Sequence, residues 1–305
     1  MRFRYGLGFI GNLLSLIVFF SQDEFRNVST GVLFLVMTIS NTIHLWTLTT
    51  EFLSSFNVLI YSNIFLQCRL NYFVQNVSRA VSTYIATGIA IDRLIRSEMP
   101  IRSRLICTRR NAIKLSLICI IISSILFAFW FWPFNTINPI TGTCYLGDSP
   151  GYIFFFNNIY LPLPLILVCI IPVIVMSIAN IRMLFNIQQS RRRVHPDAAT
   201  SDVGIGALRR LAVPGDRILF FMMLTNVLTF IITQIPLHIY TIVQSLYSIY
   251  DTLHNLLIRA LLLICSSIYF GIGFYLYCST SPLFREKFSQ MNNRIINFIR
   301  GHRRR

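Results

Sequence analysis

Seven apolar stretches, at 5–20, 31–52, 63–95, 115–132, 152–184, 218–244 and 256–278, run through this chain of 305 residues. A helix rises about 1.5 Å per residue, so about 20 apolar residues cross the roughly 30 Å of hydrocarbon in a bilayer. Five stretches reach that length; the fourth falls slightly short and the first clearly short. The spacing predicts an all-α membrane protein: a seven-transmembrane helix bundle over 1–280, then a short amphipathic helix and basic tail over 281–305. Only 12% of the residues are charged, against about 25% in a soluble domain. The bundle takes up almost the whole length, which leaves no room for a separate catalytic domain.

The net charge of +16 raises the prospect of nucleic-acid binding, but its distribution argues otherwise. Of 27 Lys and Arg residues, 22 fall at Arg26, from Arg93 to Lys114, from Arg182 to Arg193, from Arg209 to Arg217 and from Arg285 onward. These are alternate connections and the C-terminal tail. Basic residues stay cytoplasmic during insertion, which predicts an outer N-terminus, an inner C-terminus and therefore an odd number of spans. The basic inner surface then meets anionic lipid headgroups, or a cytoplasmic partner as well. Arg2 and Arg4 run against this pattern. Either the short first span is its own insertion signal, or residues upstream are missing, and its shortness favours the latter.

Of seven cysteines, only Cys68 and Cys144 map to the oxidising side, so they form the one plausible disulfide. No CxxC pair or His/Cys cluster suggests a metal, no cofactor is implied, and no nucleophile–base arrangement or carboxylate pair suggests an enzyme. The outer connection at 133–151 is rich in Pro, Gly and Asn and reads as a turn-rich lid. The inner connection at 185–216 has a small, polar middle that cannot bury a core, between flanks that extend the fifth and sixth helices. Over 281–299, Leu283, Phe284, Phe288, Met291 and Ile295 recur at helical spacing among basic residues, as in a helix lying on the inner interface. No internal repeat is evident, which weakens duplicated transporter folds.

Polar groups in hydrocarbon are costly and should face the bundle interior. Asn12, Asn41, His44, Ser78, Arg79 and Ser82 fit, as does His238; Pro172 and Pro236 should kink their helices. Many such groups only tie helices together. Arg79 is the sharpest case, 11 residues after Cys68 and 14 before Arg93, hence near mid-membrane. No acid sits centrally in any span, so Arg79 either bonds to Asn76, His44, His238 and water or meets an anionic ligand group. A transporter or channel would need a polar track through both leaflets, and the sparse polar residues give little support for one.

In order, the landmarks resemble the rhodopsin-like (class A) G-protein-coupled receptors over essentially the whole chain. Asn12 in GNLLSLIVF matches the family's helix-one Asn, and Cys68 opens helix three. Asp92-Arg93-Leu94 resembles the Asp-Arg-Tyr motif, with Arg93 lying 25 residues after Cys68 and Pro100 following seven later. Cys144, Pro172, Pro236 and Tyr277, then Phe284-Arg285, match later landmarks. STGVLFLVMTISNT and GFYLYCSTSPLFREKF look closest to divergent invertebrate receptors of the FMRFamide-peptide type.

The resemblance implies a plasma-membrane receptor that binds an extracellular peptide or small molecule and activates a heterotrimeric G protein. Asp92 would hold Arg93 until helix six swings about Pro236; Tyr277 would support the open state, and Arg209 and Arg210 would add basic contacts. Gln75, Asn76, Arg79, His238, Thr241 and Ser267 would line a pocket beneath the loop pinned by Cys68–Cys144. Asn41 replaces the helix-two Asp, so the family's sodium ion is not expected, and Gly273-Phe274 replaces the helix-seven Asn-Pro. Gln234 stands where many members have Trp, and Gln75 where amine receptors have an acid, which disfavours a monoamine. Helix seven has no Lys for retinal. These losses also fit a receptor-like chain that no longer signals.

Overall fold

The computed structural model describes residues 2–54, 58, 61, 63, 65–131, 135–137, 144–146, 150–193, 205–246, 253–280 and 284–293. Lipid offers a bare backbone no hydrogen bonds, so apolar runs fold as helices that satisfy their own amides. The helices are α1 (Arg2–Ser21), α2 (Asp23–Asn27), α3 (Ser29–Ser54), α4 (Asn71–Glu98), α5 (Pro100–Ile106), α6 (Arg109–Phe127), α7 (Pro150–Phe155), α8 (Pro162–Pro164), α9 (Ile171–Arg193), α10 (Ile205–Leu246), α11 (Leu253–Gly271) and α12 (Gly273–Thr280). Residues 284–293 form one more helix. The seven spans are α1, α3, α4, α6, the α7–α9 run, α10 and the α11–α12 pair.

Among the described residues, four spans are long and apolar enough by themselves to cross a membrane: Ser29–Leu53, Arg109–Phe131, Pro150–Asn186 and Met223–Gln244. The α11–α12 pair is a fifth, bent by 45° at Ile272. In α1 the apolar part, Gly6–Ser21, is shorter, as its sequence indicates. The remaining span, α4, falls short on apolarity because it is the central helix. Asn71, Gln75, Asn76, Ser78, Ser82 and Thr83 are all buried there, packed against α3, α6 and α9. By contrast α6 turns Ile118, Ile121, Ile122 and Ile125 outward, the arrangement expected where the solvent is lipid.

The fifth span is irregular for a stated reason. Pro162, Pro164 and Pro172 lack the N–H that an α-helix needs. The chain takes wide turns at Phe156–Tyr160 and Leu165–Ile170, where Leu161 N bonds back to Phe156 O at 2.9 Å. Pro236 leaves α10 an unbroken helix. The flanks of the 185–216 connection are helical, α9 to Arg193 and α10 from Ile205, and its middle lies outside the described residues.

One local departure from the all-helical expectation lies in the 133–151 connection. Strand β1 (Asn135–Ile137) pairs antiparallel with β2 (Cys144–Leu146), setting Ile137 opposite Cys144. Two extended triplets joined by Pro, Gly and Thr make a hairpin that a turn-rich composition alone does not reveal. Strand β1 lies against the Phe65–Leu70 turn that opens α4.

At the opposite end of the bundle an aromatic cluster closes the core. Phe34 and Tyr277 have ring centroids 4.9 Å apart, and Phe284 lies 5.5 Å from Tyr277 and 5.6 Å from Phe19. Phe284 and Met291 are buried while Arg285 and Glu286 are exposed, so the 284–293 helix is amphipathic and docked by its apolar face. The parts of the 281–299 pattern at Leu283 and Ile295 lie outside the described residues.

Candidate functional site

At the Cys68 end the spans surround a cavity of about 190 Å³. Its walls come from α3 (His44, Leu48, Glu51), α4 (Tyr72, Gln75, Asn76, Arg79), α10 (Leu237, His238, Thr241) and α11 (Arg259, Leu263, Ser266). Trp130, Phe156, Tyr160, Leu161 and Pro164 complete it from the fourth and fifth spans. Helical spacing layers these residues. Glu51 and His44, Tyr72 and Arg79, and Arg259 and Ser266 are each seven residues apart, about 10 Å along their helices. The first of each pair lies at the mouth and the second at the deep end.

The mouth carries an ion pair. Arg259 donates to Glu51 Oε1 at 3.0 Å, and Gln75 Nε2 donates to Glu51 Oε2 at 2.5 Å, joining α3, α4 and α11. The Glu51 side chain is 9% exposed and that of Arg259 45%. The deep end is basic. Arg79 donates to Asn76 Oδ1 at 2.6 Å, and its Nε is buried without a hydrogen-bond partner. His44 Nδ1 faces the Gln75 carbonyl at 2.9 Å; an oxygen there only accepts, so Nδ1 carries the proton. Nε2 of His44 and of His238 is buried and unpartnered.

Five of the six residues expected in the pocket line it: Gln75, Asn76, Arg79, His238 and Thr241. Ser267 does not; its neighbour Ser266 does, because one residue along a helix turns the side chain by about 100°. Ser267 Oγ instead donates to the Ile264 carbonyl at 2.7 Å. Ser266 and Gln234 exchange two hydrogen bonds of 3.0 Å, which ties α10 to α11 beneath the cavity. Sequence reasoning did not single out Glu51 and Arg259, which sit near the outer ends of the second and seventh apolar stretches. Cys68 is buried and disulfide-bonded, whereas Cys107, Cys119, Cys169, Cys265 and Cys278 are free. The side chain of Cys144 lies outside the described residues.

In mid-bundle, Asn12 Nδ2 donates to the Phe270 carbonyl at 3.0 Å. Ser82 Oγ donates to Asn41 Oδ1 beside a cavity of about 20 Å³ that Tyr277 also lines.

At the other end, Asp92 accepts from Ser29 Oγ and Thr30 Oγ1, each at 2.8 Å, and pairs with Arg96 Nε at 2.9 Å. Arg96 also donates to Ser29 Oγ at 2.8 Å and to the Cys107 carbonyl at 3.3 Å. Residues i and i+4 share a helix face, which is why Arg96 meets Asp92 so directly. The carboxylate thus joins α3, α4 and the turn after α5. Burial and the neighbouring Asp92 push the Cys107 thiol up to about 11. The side chains of Arg209 and Arg210 lie outside the described residues.

A cavity at one end of a seven-helix bundle and a charged network at the Asp92-Arg93 end define two separate working faces. The family model described as 7 transmembrane receptor (rhodopsin family) matches residues 11–271, most of the chain. The chain belongs to the rhodopsin family of seven-transmembrane receptors. Members are multi-pass plasma-membrane receptors, not enzymes, which bind an extracellular ligand and signal through G proteins. No curated protein matches the chain at a significant level.

Proposed function

We propose that this rhodopsin-family receptor binds its ligand, a peptide or small molecule, in the cavity at the Cys68 end and couples to a G protein at the Asp92 end. The observation that carries this reading is the cavity itself, walled by five of the six expected side chains and bounded by six spans. The N-terminus is outside and the C-terminus cytoplasmic, in keeping with the 22 basic residues in alternate connections. Those residues also face anionic lipid. Cys68 is paired with Cys144, whose strand partner Ile137 belongs to the strand lying against the Cys68 turn. The likeness of STGVLFLVMTISNT and GFYLYCSTSPLFREKF to invertebrate FMRFamide-type receptors adds neuropeptides to the ligands to be tried, each with a free and an amidated C-terminus.

Ligand binding shifts a two-state equilibrium of the bundle. The cytoplasmic part of α10 swings about Pro236, and Arg93 is released to the G protein with basic contacts from Arg209 and Arg210. Tyr277 supports the open state. The test is G-protein activation in cells displaying the chain, across a library of peptides and small acids, beside Arg93→Ala. The expected outcome is a ligand-dependent signal that Arg93→Ala abolishes at unchanged surface display. Silence across several G proteins, with the protein well displayed, would instead identify a receptor-like chain that no longer signals, in line with Asn41 and Gly273-Phe274.

A further inference from the structure

We infer that the ligand presents a carboxylate to Arg79 and that the cavity selects free acids over the corresponding amides; the location rests on the receptor reading above. Charge accounting around the cavity carries the inference. Among the described residues its lining contains one acid, Glu51, and that carboxylate is held at the mouth by Arg259 and Gln75. Two turns deeper, Arg79 has the Asn76 amide as its hydrogen-bond acceptor and takes part in no ion pair among the described residues. The ionisable groups that face it there, His44, His238, Tyr160 and Cys169, supply no negative charge at neutral pH.

A guanidinium held at this depth without a counter-charge is costly, and an anion of the ligand offsets that cost. Planar two-pronged N–H donation suits a carboxylate. One formal charge at the deep end matches a monoanion, whereas a phosphate dianion would leave a charge uncompensated. The body of the ligand meets the aromatic wall of Trp130, Phe156 and Tyr160, where Trp130 Nε1 donates to Tyr160 OH at 3.1 Å. A cavity of about 190 Å³ holds on the order of a dozen water-sized groups. That is room for an acid carrying one ring, or for the last residue of a peptide.

The experiment uses the full chain in lipid nanodiscs and four probes: 3-phenylpropionate and its amide, and acetyl-Gly-Phe with a free and an amidated C-terminus. Affinities are read from the concentration dependence of thermal unfolding. At least one acid should bind about tenfold or more tightly than its amide, the increment of one charged hydrogen-bonded contact. Arg79→Gln should remove that preference, bringing acid and amide to equal affinity, while Arg79→Lys keeps part of it. Preference in the small pair identifies a free acid as the source, and preference in the peptide pair a peptide C-terminus; either supports the inference. Amides binding as well as acids, a preference that survives Arg79→Gln, or no acid binding up to about 10 mM overturns it. If Arg79→Gln does not fold, the acid-to-amide ratio of the unaltered protein decides. Because no G protein enters this assay, acid binding without signalling would sink the receptor reading alone. Arg79-independent activation by an amide would sink this inference alone.

Discussion

The Glu51–Arg259 pair should respond asymmetrically to the loss of each partner. At 4 Å and an effective dielectric constant of about 20, two unit charges attract by about 4 kcal/mol. Arg259 is 45% exposed, so water screens part of that and a coupling of about 1–2 kcal/mol remains. Glu51→Gln keeps the shape and leaves a guanidinium that water can reach, at a cost of about 1–2 kcal/mol. Arg259→Met leaves a carboxylate only 9% exposed without its guanidinium, so the cost rises to about 2–4 kcal/mol. The double variant should therefore be no less stable than Arg259→Met. The assay is the folded, monodisperse fraction of detergent-purified protein after heating for a fixed time, because unfolding of such proteins is commonly irreversible. Glu51→Gln proving as damaging as Arg259→Met, or a strictly additive double variant, would refute the account of a desolvated carboxylate held by a half-exposed partner.

Two further outcomes are expected. A Cβ at Gly271 would lie 2.9 Å from Gly8 Cα, so Gly271→Ala should push α1 from α11 and lower stability by about 1–3 kcal/mol. Gly6→Ala, with nothing within 4 Å, is the control and should lose nothing on heating. Cys107, raised to about 11, has about a hundredfold less thiolate at neutral pH than a thiol at its ordinary 9.0. Alkylation followed by peptide mass spectrometry should therefore be slow at pH 7.5 and climb as pH approaches 11. Fast labelling at neutral pH would contradict the burial of the Cys107 thiol beside Asp92.

Much of the architecture was legible because bilayer thickness and helix rise leave few ways to place seven apolar stretches. The amphipathic pattern at Phe284, Phe288 and Met291 was legible for the same reason: period 3.6 reports a one-sided environment. The depth of Arg79 followed from counting along one helix. Glu51 was missed because a lone acid at the end of an apolar stretch gives no sign of its partner, and that partner, Arg259, is 208 residues away in sequence. The choice of Ser266 over Ser267 is a rotation of about 100° set by how α11 packs on α10 and α3. The β1–β2 hairpin was hidden because three-residue strands carry almost no periodic signal.

By itself the sequence determined that this chain crosses a membrane as a helical bundle, which end collects positive charge, and which polar side chains must turn inward. Those are one-dimensional consequences of the solvent, since hydrocarbon rejects bare amides and charges wherever they fall along the chain. Only the tertiary structure decided which inward groups meet. It set Glu51 against Arg259 and Asp92 against Ser29, Thr30 and Arg96, leaving Arg79 beside two histidines with no acid paired to it among the described residues. Pairing depends on the rotation and depth of one helix against another, and those are fixed by close packing of side chains distant in sequence.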